Sequence, residues 1–313
     1  MAQWKILITD KFTENGIEAL SAAAEVEYQP GMTAGDVLAS IPKFDALIVR
    51  GRTKVTADVF AAASNLKVVG RAGVGVDNID LASAQSHHVT IVNSPTATTT
   101  AVAEHTLALM LALTKSVSRA DAAMKSGRWT KKQLMGSELS GKVLGIIGLG
   151  NIGSAVAQRA TALGMTVIGF DPLIADADVR NRGVDPVALD ELYARADVIS
   201  FHVPLNPSTR NMIDGQAIAH MKRGVYLVCT ARGGVIDETA LHSALESGQV
   251  AGAALDVYAQ EPPGLTALVA HPNVIATPHI AAQTQEAQAR ASADIADEIL
   301  AALRDEPLRW KIV

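Results

Sequence analysis

The chain has 313 residues, of which 49% are hydrophobic but only 4% aromatic, and its formal net charge is −5. This length favours two domains over one, and the apolar content excludes a disordered chain and favours an α/β protein. The acidic balance, without a long basic run, argues against nucleic acid as a partner.

The first third of the chain alternates short β-branched runs with helical patterns. Residues 5–9, 46–49, 67–70 and 89–92 are predicted as buried strands, and the stretches between them carry Ala and Leu at helical spacing, as in residues 16–24. Such alternation predicts a parallel sheet with helices on both faces.

Cellular location is predicted from three features. The apolar run near the N-terminus is too short for a signal sequence, and no apolar stretch reaches the length of a membrane span. The single cysteine, Cys229, can form neither an intramolecular disulfide nor a thiolate metal cluster. We therefore expect a cytoplasmic protein without a metal site or a membrane partner.

A long apolar helical pattern at residues 102–117 separates two series of strands. Thr98, Thr99 and Thr100 are candidate N-caps for it. Because the pattern is hydrophobic on more than one face, the helix is predicted to be a domain connector or a subunit interface. The second series of predicted strands comprises residues 143–148, 166–170, 198–201, 225–229, 251–255 and 274–277, and a long Ala-rich helix is predicted at residues 285–303.

A glycine-rich turn joins the first strand of the second series to a helical pattern at residues 154–163. The turn and helix start contain Gly148, Gly150, Asn151, Ile152 and Gly153, and the next strand ends on Asp171. Glycines of this spacing allow a tight turn and a close approach of the backbone to a diphosphate, and the acid suits ribose hydroxyls. The carboxylate of Asp171 would repel the additional phosphate of NADP, so NAD is the predicted cofactor.

Three side chains in loops after predicted strands are candidates for catalysis: Arg232, Glu261 and His279. A dehydrogenase needs a proton donor and acceptor, a group that orients it, and a cation for the substrate carboxylate. Open α/β sheets bind ligands beyond the carboxyl ends of their strands. Four other histidines lack such a context and are predicted to be surface residues: His87, His88, His220 and His271.

Five segments together resemble the D-isomer-specific 2-hydroxyacid dehydrogenase family. They are VVGRAGVGVDNID at residues 68–80, MGSELSGKVLGIIGLGNIG at 135–153, ARGGVIDE at 231–238, GAALDVYAQEPP at 252–263, and TPH at 277–279. They occur in family order across nearly the whole chain. Within the family, the chain is most similar to the enzymes of serine biosynthesis that oxidise 3-phosphoglycerate, in a short form without a regulatory domain.

The resemblance implies a role for each catalytic candidate. His279 would be the general acid and base, Glu261 would orient its imidazole, and Arg232 would bind the substrate carboxylate and polarise the carbonyl. Beside the residues of the glycine-rich turn and Asp171, the resemblance implies further contacts to the cofactor from His202, Val203, Pro204, Thr209, Thr230, Ala231, Asp256 and His279.

The resemblance also implies two Rossmann-like doubly wound domains with the active site in the cleft between them. Residues 1–97 with 283–313 would form the substrate domain, and residues 98–282 the NAD-binding domain. The helix at residues 102–117 would build a homodimer interface.

The expected substrate contacts are Arg50, Arg52, Val74, Gly75 and Arg232. Two arginines around Gly51 suit a second anionic group, and residues 73–75 resemble the family's backbone clamp for a carboxylate. These features favour 3-phosphoglycerate and 3-phosphohydroxypyruvate as substrate pair.

Two alternatives remain open at the level of sequence. The residues after Ser94-Pro95 and after His279 depart from the pattern common among phosphoglycerate-oxidising enzymes, so the chain could reduce hydroxypyruvate, glyoxylate or another 2-keto acid, sulfolactate-type substrates included. An NAD(H)-sensing scaffold with protein partners is the third reading.

Overall fold

The structure, a computed structural model, describes residues 4–313. The chain divides into two compact units, one of residues up to Thr99 together with Ala282–Val313, the other of Thr100–Ala281. Within residues 4–313, no helix combines the length and the apolar character that a bilayer crossing requires.

The described residues form two series of elements in chain order. The strands are β1 (Trp4–Ile8), β2 (Ala24–Tyr28), β3 (Ala46–Val49), β4 (Val68–Arg71), β5 (Thr90–Asn93), β6 (Val143–Ile147), β7 (Thr166–Phe170), β8 (Asp185–Pro186), β9 (Val198–Phe201), β10 (Val225–Cys229), β11 (Val250–Leu255) and β12 (Val274–Ala276). The helices are α1 (Glu14–Ser21), α2 (Ala34–Ser40), α3 (Ala57–Ala62), α4 (Leu81–Ser86), α5 (Thr99–Thr114), α6 (Val117–Lys125), α7 (Asn151–Ala162), α8 (Asp176–Asn181), α9 (Leu189–Arg195), α10 (Gly215–His220), α11 (Glu238–Glu246), α12 (Ala267–Ala270) and α13 (Gln285–Leu303).

The first unit is built on a five-stranded sheet in the order β2-β1-β3-β4-β5, with every named pair parallel. Side chains of α1 and α13 pack on one face and those of α2, α3 and α4 on the other. Helix α13 approaches β4 so closely that a Cβ added at Gly70 would lie 2.7 Å from Ile295. The last residues of the chain pair antiparallel with β5, where Ile91 exchanges backbone hydrogen bonds with Ile312 and Val313.

The second unit contains a seven-stranded parallel sheet in the order β12-β11-β10-β9-β6-β7-β8. Numbered within the unit, six of these strands follow the 3-2-1-4-5-6 order of a dinucleotide-binding fold, with one strand added at the edge. Helices α5, α7 and α8 cover one face, and α9 to α12 cover the other. The predicted α/β class with two doubly wound parallel sheets is confirmed.

Three features of the structure differ from the sequence predictions. Strands β2 and β8 were not predicted. The helix predicted at residues 102–117 ends at Thr114, and a second helix begins at Val117, because Ser116 adopts a left-handed conformation with φ +55° between α5 and α6. His271 is not a surface residue, since its side chain is only 7% exposed and lies 3.5 Å from Glu246.

Candidate active site

The candidate residues of the second unit all follow the carboxyl ends of strands in one parallel sheet. Gly148 follows β6, Asp171 follows β7, His202 follows β9, Arg232 follows β10, Glu261 follows β11 and His279 follows β12. Because these strands are neighbours and parallel, one edge of the sheet carries every catalytic and cofactor candidate of this unit. The order of the strands reverses between β6 and β9, which is the place where open α/β sheets bind ligands.

The glycine-rich turn has a geometry that requires glycine at two positions and leaves open space at a third. Gly148 adopts φ +90°, and an added Cβ would lie 2.7 Å from the carbonyl oxygen of His202. A Cβ at Gly153 would lie 2.0 Å from the carbonyl oxygen of Gly148, whereas one at Gly150 would meet no atom within 4 Å. Helix α7 begins at Asn151, directly after the turn, and the first-turn amides of a helix attract anions. These residues fit the diphosphate of a dinucleotide.

The side chain of Asp171 supports the turn from the next strand. Its carboxylate accepts hydrogen bonds from the backbone amides of Leu149, at 2.8 Å, and Leu173, at 3.0 Å. Arg182 holds the same segment from the other side, because its guanidinium donates to the carbonyl oxygen of Leu149 and, at 3.0 Å, to Ser154 Oγ. The sequence analysis missed Arg182, which no motif marks.

His202 is partly buried at the end of β9 and hydrogen-bonds Ser200 Oγ through Nε2, at 2.9 Å. Burial lowers the pKa of His202 to about 4, so the imidazole is neutral near pH 7. Its carbonyl oxygen lies against Gly148. The residue therefore adjoins the glycine-rich turn as an uncharged group.

The remaining cofactor candidates lie in the loops after β9 and β10. Thr209 Oγ1 donates to the carbonyl oxygen of Pro204, at 2.6 Å, and thereby closes the loop that begins directly after Val203. Thr230 is buried, and its hydroxyl lies 2.8 Å from that of Thr106 on α5. Ala231 follows directly. These contacts fix the loops, and direct contacts of these residues to a cofactor stay predictions.

His279 and Glu261 form the hydrogen-bonded pair of the site. The distance between His279 Nδ1 and Glu261 Oε2 is 2.8 Å, and both side chains are partly exposed, at 51% and 38%. A carboxylate at Nδ1 favours the tautomer that carries its proton there. Nε2 is then the nitrogen that can exchange a proton with a substrate. His279 also adopts φ +53°, a conformation that is unfavourable for a residue with a side chain and that recurs at functional sites.

Tyr258 positions both members of this pair, although the sequence analysis assigned it no role. Its backbone amide donates to Glu261 Oε1, at 3.1 Å. Its buried hydroxyl lies 3.0 Å from the carbonyl oxygens of Leu255 and Thr277. Tyr258 lies three positions before Glu261 in the segment GAALDVYAQEPP. Its place in the same family segment as Glu261 is the sequence feature that could have identified it.

Asp256 is fully buried and holds the backbone on both sides of His279. Its carboxylate accepts hydrogen bonds from Thr277 Oγ1, at 2.6 Å, and from the amides of Ile280 and Ala281, both at 2.9 Å. Burial opposes ionisation, but these bonds and His105 outweigh it and lower the pKa of Asp256. The structure thus shows a charged group that anchors the His279 loop, and a contact to the nicotinamide amide stays a prediction.

Arg232 lies three residues beyond β10, the strand next to β11 in the sheet. Its guanidinium donates to the carbonyl oxygen of Ala231 through Nη1, at 2.7 Å. The following residue, Gly233, packs so tightly that a Cβ would lie 1.7 Å from the carbonyl oxygen of Tyr258. The loops that carry Arg232 and Glu261 are therefore in direct contact.

The substrate candidates of the first unit also follow neighbouring strands, β3 and β4. Arg50 and Arg52 come after β3, and burial lowers the pKa of Arg50 while the charge of Asp10 raises it. Val74 and Gly75 come after β4, and the carbonyl oxygen of Val74 accepts a hydrogen bond from Asn93 Nδ2, at 2.7 Å. Asp10, which the sequence analysis did not consider, lies beside both arginines.

Comparisons with known proteins identify the family of the chain. Residues 107–281 match the family model described as D-isomer specific 2-hydroxyacid dehydrogenase, NAD binding domain. D-3-phosphoglycerate dehydrogenase of Methanocaldococcus jannaschii is 47% identical over 303 residues, which are 96% of this chain and 58% of that protein. The chain therefore spans less than two thirds of the length of this relative.

Solved structures resemble the chain over its whole length. A glyoxylate reductase from Paecilomyes thermophila superposes with a TM-score of 0.92 at 31% identity, over 100% of this chain and 99% of that one. D-lactate dehydrogenase from Aquifex aeolicus, complexed with NAD and lactic acid, gives a TM-score of 0.85 at 30% identity, over 96% of both chains. The chain thus belongs to the D-isomer specific 2-hydroxyacid dehydrogenase family, and residues 107–281 form the family's NAD-binding domain.

Proposed function

We propose that the chain catalyses the NAD-dependent interconversion of a small anionic 2-hydroxy acid and its 2-keto acid, with Arg232, Glu261 and His279 as catalytic residues. One observation carries the proposal. The hydrogen-bonded pair of His279 and Glu261, at 2.8 Å, lies at the same edge of the sheet as a glycine-rich turn that fits a dinucleotide diphosphate.

The role proposed for each residue is the one that the family resemblance implies, and the hydrogen bond between His279 and Glu261 supports it for that pair. NAD, when bound, supplies the hydride acceptor of the oxidation. His279 Nε2 takes the hydroxyl proton of the 2-hydroxy acid, and it returns a proton to the carbonyl oxygen in the reverse direction. Glu261 holds the imidazole at Nδ1 and stabilises its protonated form. Arg232 binds the carboxylate and polarises the carbonyl.

NAD rather than NADP is proposed because of Asp171. Its carboxylate is already oriented by the amides of Leu149 and Leu173, and a carboxylate can accept hydrogen bonds from ribose hydroxyls while it repels a phosphate. Arg182 donates to the carbonyl oxygen of Leu149, so its guanidinium is engaged by the protein.

The substrate pair that we propose is 3-phosphoglycerate and 3-phosphohydroxypyruvate. The name of the relative at 47% identity and the guanidinium of Arg50 support it, since a phosphate needs a cation beyond the one that binds the carboxylate. Arg232 is proposed to bind the substrate carboxylate, and Val74 and Gly75 stay proposed substrate contacts.

A second candidate is a reductase of hydroxypyruvate or glyoxylate. The resemblance to the glyoxylate reductase structure, with a TM-score of 0.92 at 31% identity, supports it. The third candidate is an NAD(H)-sensing scaffold protein, which would bind the cofactor without turning over an acid.

One panel of assays separates these candidates. NADH formation and consumption are measured with 3-phosphoglycerate, glycerate, glycolate, lactate and sulfolactate and with the corresponding 2-keto acids, and then again with NADP(H). We expect the highest kcat/KM with the phosphorylated pair and a clear preference for NAD. A higher kcat/KM with glyoxylate or hydroxypyruvate would favour the second candidate. NADH binding without turnover of any acid would favour the NAD(H)-sensing scaffold.

We also propose that two copies of the chain form a homodimer through the region of α5 and α6. Nine of the 16 residues of α5 are buried, but the end of α5, the helix α6 and the following segment expose large apolar side chains. They are Leu111, Val117, Met124, Trp129 and Met135, which are 37%, 53%, 57%, 78% and 92% exposed. Such a concentration of exposed apolar surface is typical of a protein–protein interface.

A further inference from the structure

The loop after β3 is organised around one buried carboxylate. Asp10, two residues beyond β1, is only 5% exposed. Its Oδ2 accepts hydrogen bonds from the amides of Arg50, at 2.7 Å, and Thr53, at 3.2 Å, and its Oδ1 accepts one from Thr53 Oγ1, at 2.9 Å. Asp10 therefore fixes both ends of the segment that carries the two arginines.

The two arginines of this loop differ in what their guanidinium groups contact. Arg52 Nε lies 3.5 Å from Asp10 Oδ1, and its Nη2 donates to the carbonyl oxygens of Met32, at 3.0 Å, and Thr9, at 3.4 Å. Its charge is thus balanced by the protein, and several of its donors are occupied. An additional anion would have to compete with Asp10 for this group.

Arg50 has no comparable set of partners among residues 4–313. Its amide is held by Asp10, and its guanidinium donates a hydrogen bond from Nη1 to Gln283 Oε1 at the limiting distance of 3.5 Å. A bond of that length is weak. The guanidinium keeps the paired donors with which arginine binds a phosphate or carboxylate.

We propose that Asp10 is a positioning residue that gives the two arginines different roles. It retains Arg52 in the scaffold of the loop, and it fixes the backbone from which Arg50 alone binds the second anionic group of the substrate. The inference rests on the proposed function, because it assumes a substrate with such a group, and it revises the expectation that both arginines contact the substrate.

The roles can be separated with matched pairs of substrates. KM and kcat are measured with 3-phosphohydroxypyruvate and with hydroxypyruvate, which lacks the phosphate, for four variants: Arg50→Ala, Arg52→Ala, Asp10→Asn and, as a control, Lys54→Ala. Lys54 is an exposed cation directly after the loop. NADH affinity is measured for each variant to show that the cofactor site is intact.

The expected pattern is selective for the phosphorylated substrate. Arg50→Ala should raise the KM for 3-phosphohydroxypyruvate about 10- to 100-fold, because one charged hydrogen bond to the phosphate is lost. The KM for hydroxypyruvate should change less than about twofold. Asp10→Asn should raise the KM for 3-phosphohydroxypyruvate about tenfold and leave kcat nearly unchanged. An amide cannot replace a carboxylate that accepts hydrogen bonds from three donors. Arg52→Ala should change either KM less than about fivefold, and Lys54→Ala should change neither.

Different outcomes overturn different parts. An Arg52→Ala loss as large and as selective as that of Arg50→Ala would show that Arg52 is a ligand, and Asp10→Asn losses equal on both substrates would show that Asp10 only supports the fold. If Asp10→Asn does not fold, Thr53→Val, which removes one of the three donors, should give the same selectivity at a smaller size, and its absence would refute the positioning role. If Arg50→Ala itself affects both substrates equally, the proposed phosphorylated substrate is wrong.

Discussion

The backbone of His279 shows how a single residue is prepared for its task. It adopts φ +53°, which costs about 1–3 kcal/mol for a residue with a side chain. Asp256 holds the backbone on both sides of it through Thr277, Ile280 and Ala281. These bonds offset the unfavourable conformation and direct the imidazole to Glu261.

Substitutions of His279 and Glu261 should lower kcat by different amounts. His279→Ala removes the proton acceptor and should lower kcat about 10²- to 10⁴-fold, whereas NADH affinity, measured by fluorescence, should stay nearly unchanged. Glu261→Gln keeps a hydrogen-bonding partner at Nδ1 but removes its charge, so its loss should be smaller than that of Glu261→Ala. His220→Ala, at an exposed histidine of the same unit, is the control. Turnover of His279→Ala close to that of the wild type would refute the assignment.

His202 gives the folded protein a dependence on pH that can be measured without substrate. Its pKa of about 4 in the folded state lies below the ordinary value of 6.5, so the folded protein favours the neutral imidazole. The contribution of this group to the free energy of unfolding is complete above pH 6.5 and is lost as the pH falls from 6.5 to 4.

His202→Gln removes this titration and keeps a side chain that can hydrogen-bond Ser200. The variant should therefore lose less stability than the wild type when urea unfolding at pH 7 is compared with unfolding at pH 4.5. His220→Gln, at an exposed position, should follow the wild type. Equal losses of stability in the wild type and in His202→Gln would contradict the lowered pKa of His202 in the folded protein.

At the scale of elements, the sequence predicts the strands that are buried on both faces. Residues 46–49, 166–170, 198–201 and 225–229 are uninterrupted apolar or nearly apolar runs, and the structure confirms their bounds. Strand β2 has the sequence AEVEY at the edge of its sheet, with two glutamates that face away from the core. A half-exposed edge strand needs no apolar run, and so the pattern used for buried strands overlooks it.

The division between α5 and α6 has no signal of its own in the sequence. The break falls at Lys115 and Ser116, without a proline or glycine to mark it. The amide of Ser137, which lies 23 positions further along the chain, donates to the carbonyl oxygen of Thr114. A helix end that is stabilised by a distant segment is a tertiary effect, which local periodicity does not report.

The residues of the candidate site also fall into two groups, those that the sequence predicts and those that only the fold brings together. Gly148, Asp171, Glu261 and His279 lie in compact motifs whose spacing can be read directly. Asp10 lies 40 positions from Arg50, and Arg182 lies 33 positions from Leu149. Only the folded sheet brings the members of these pairs together, so residues that act by holding a motif are the ones that sequence analysis misses.

At the scale of the whole molecule, the exposed apolar side chains are unevenly distributed. Trp129 and Met135 lie in the short segment after α6 and are 78% and 92% exposed. This segment also carries Arg128, Lys131 and Lys132, although the chain as a whole has a net charge of −5. Large exposed apolar side chains rimmed by charged residues mark a protein–protein interface, which supports self-association through this segment.

The double variant Trp129→Ser/Met135→Ser should therefore dissociate the proposed dimer. Analytical ultracentrifugation of the wild type at micromolar concentration should give about twice the chain mass of 32.7 kDa, and the variant should shift toward 32.7 kDa. Two buried aromatic or thioether side chains contribute about 1.5–3 kcal/mol each, enough to weaken association at least about 100-fold. Leu173→Ser/Leu265→Ser removes side chains that are 93% and 86% exposed elsewhere and should leave the mass unchanged. A monomeric wild type, or a double variant that keeps the wild-type mass, would contradict an interface at this segment.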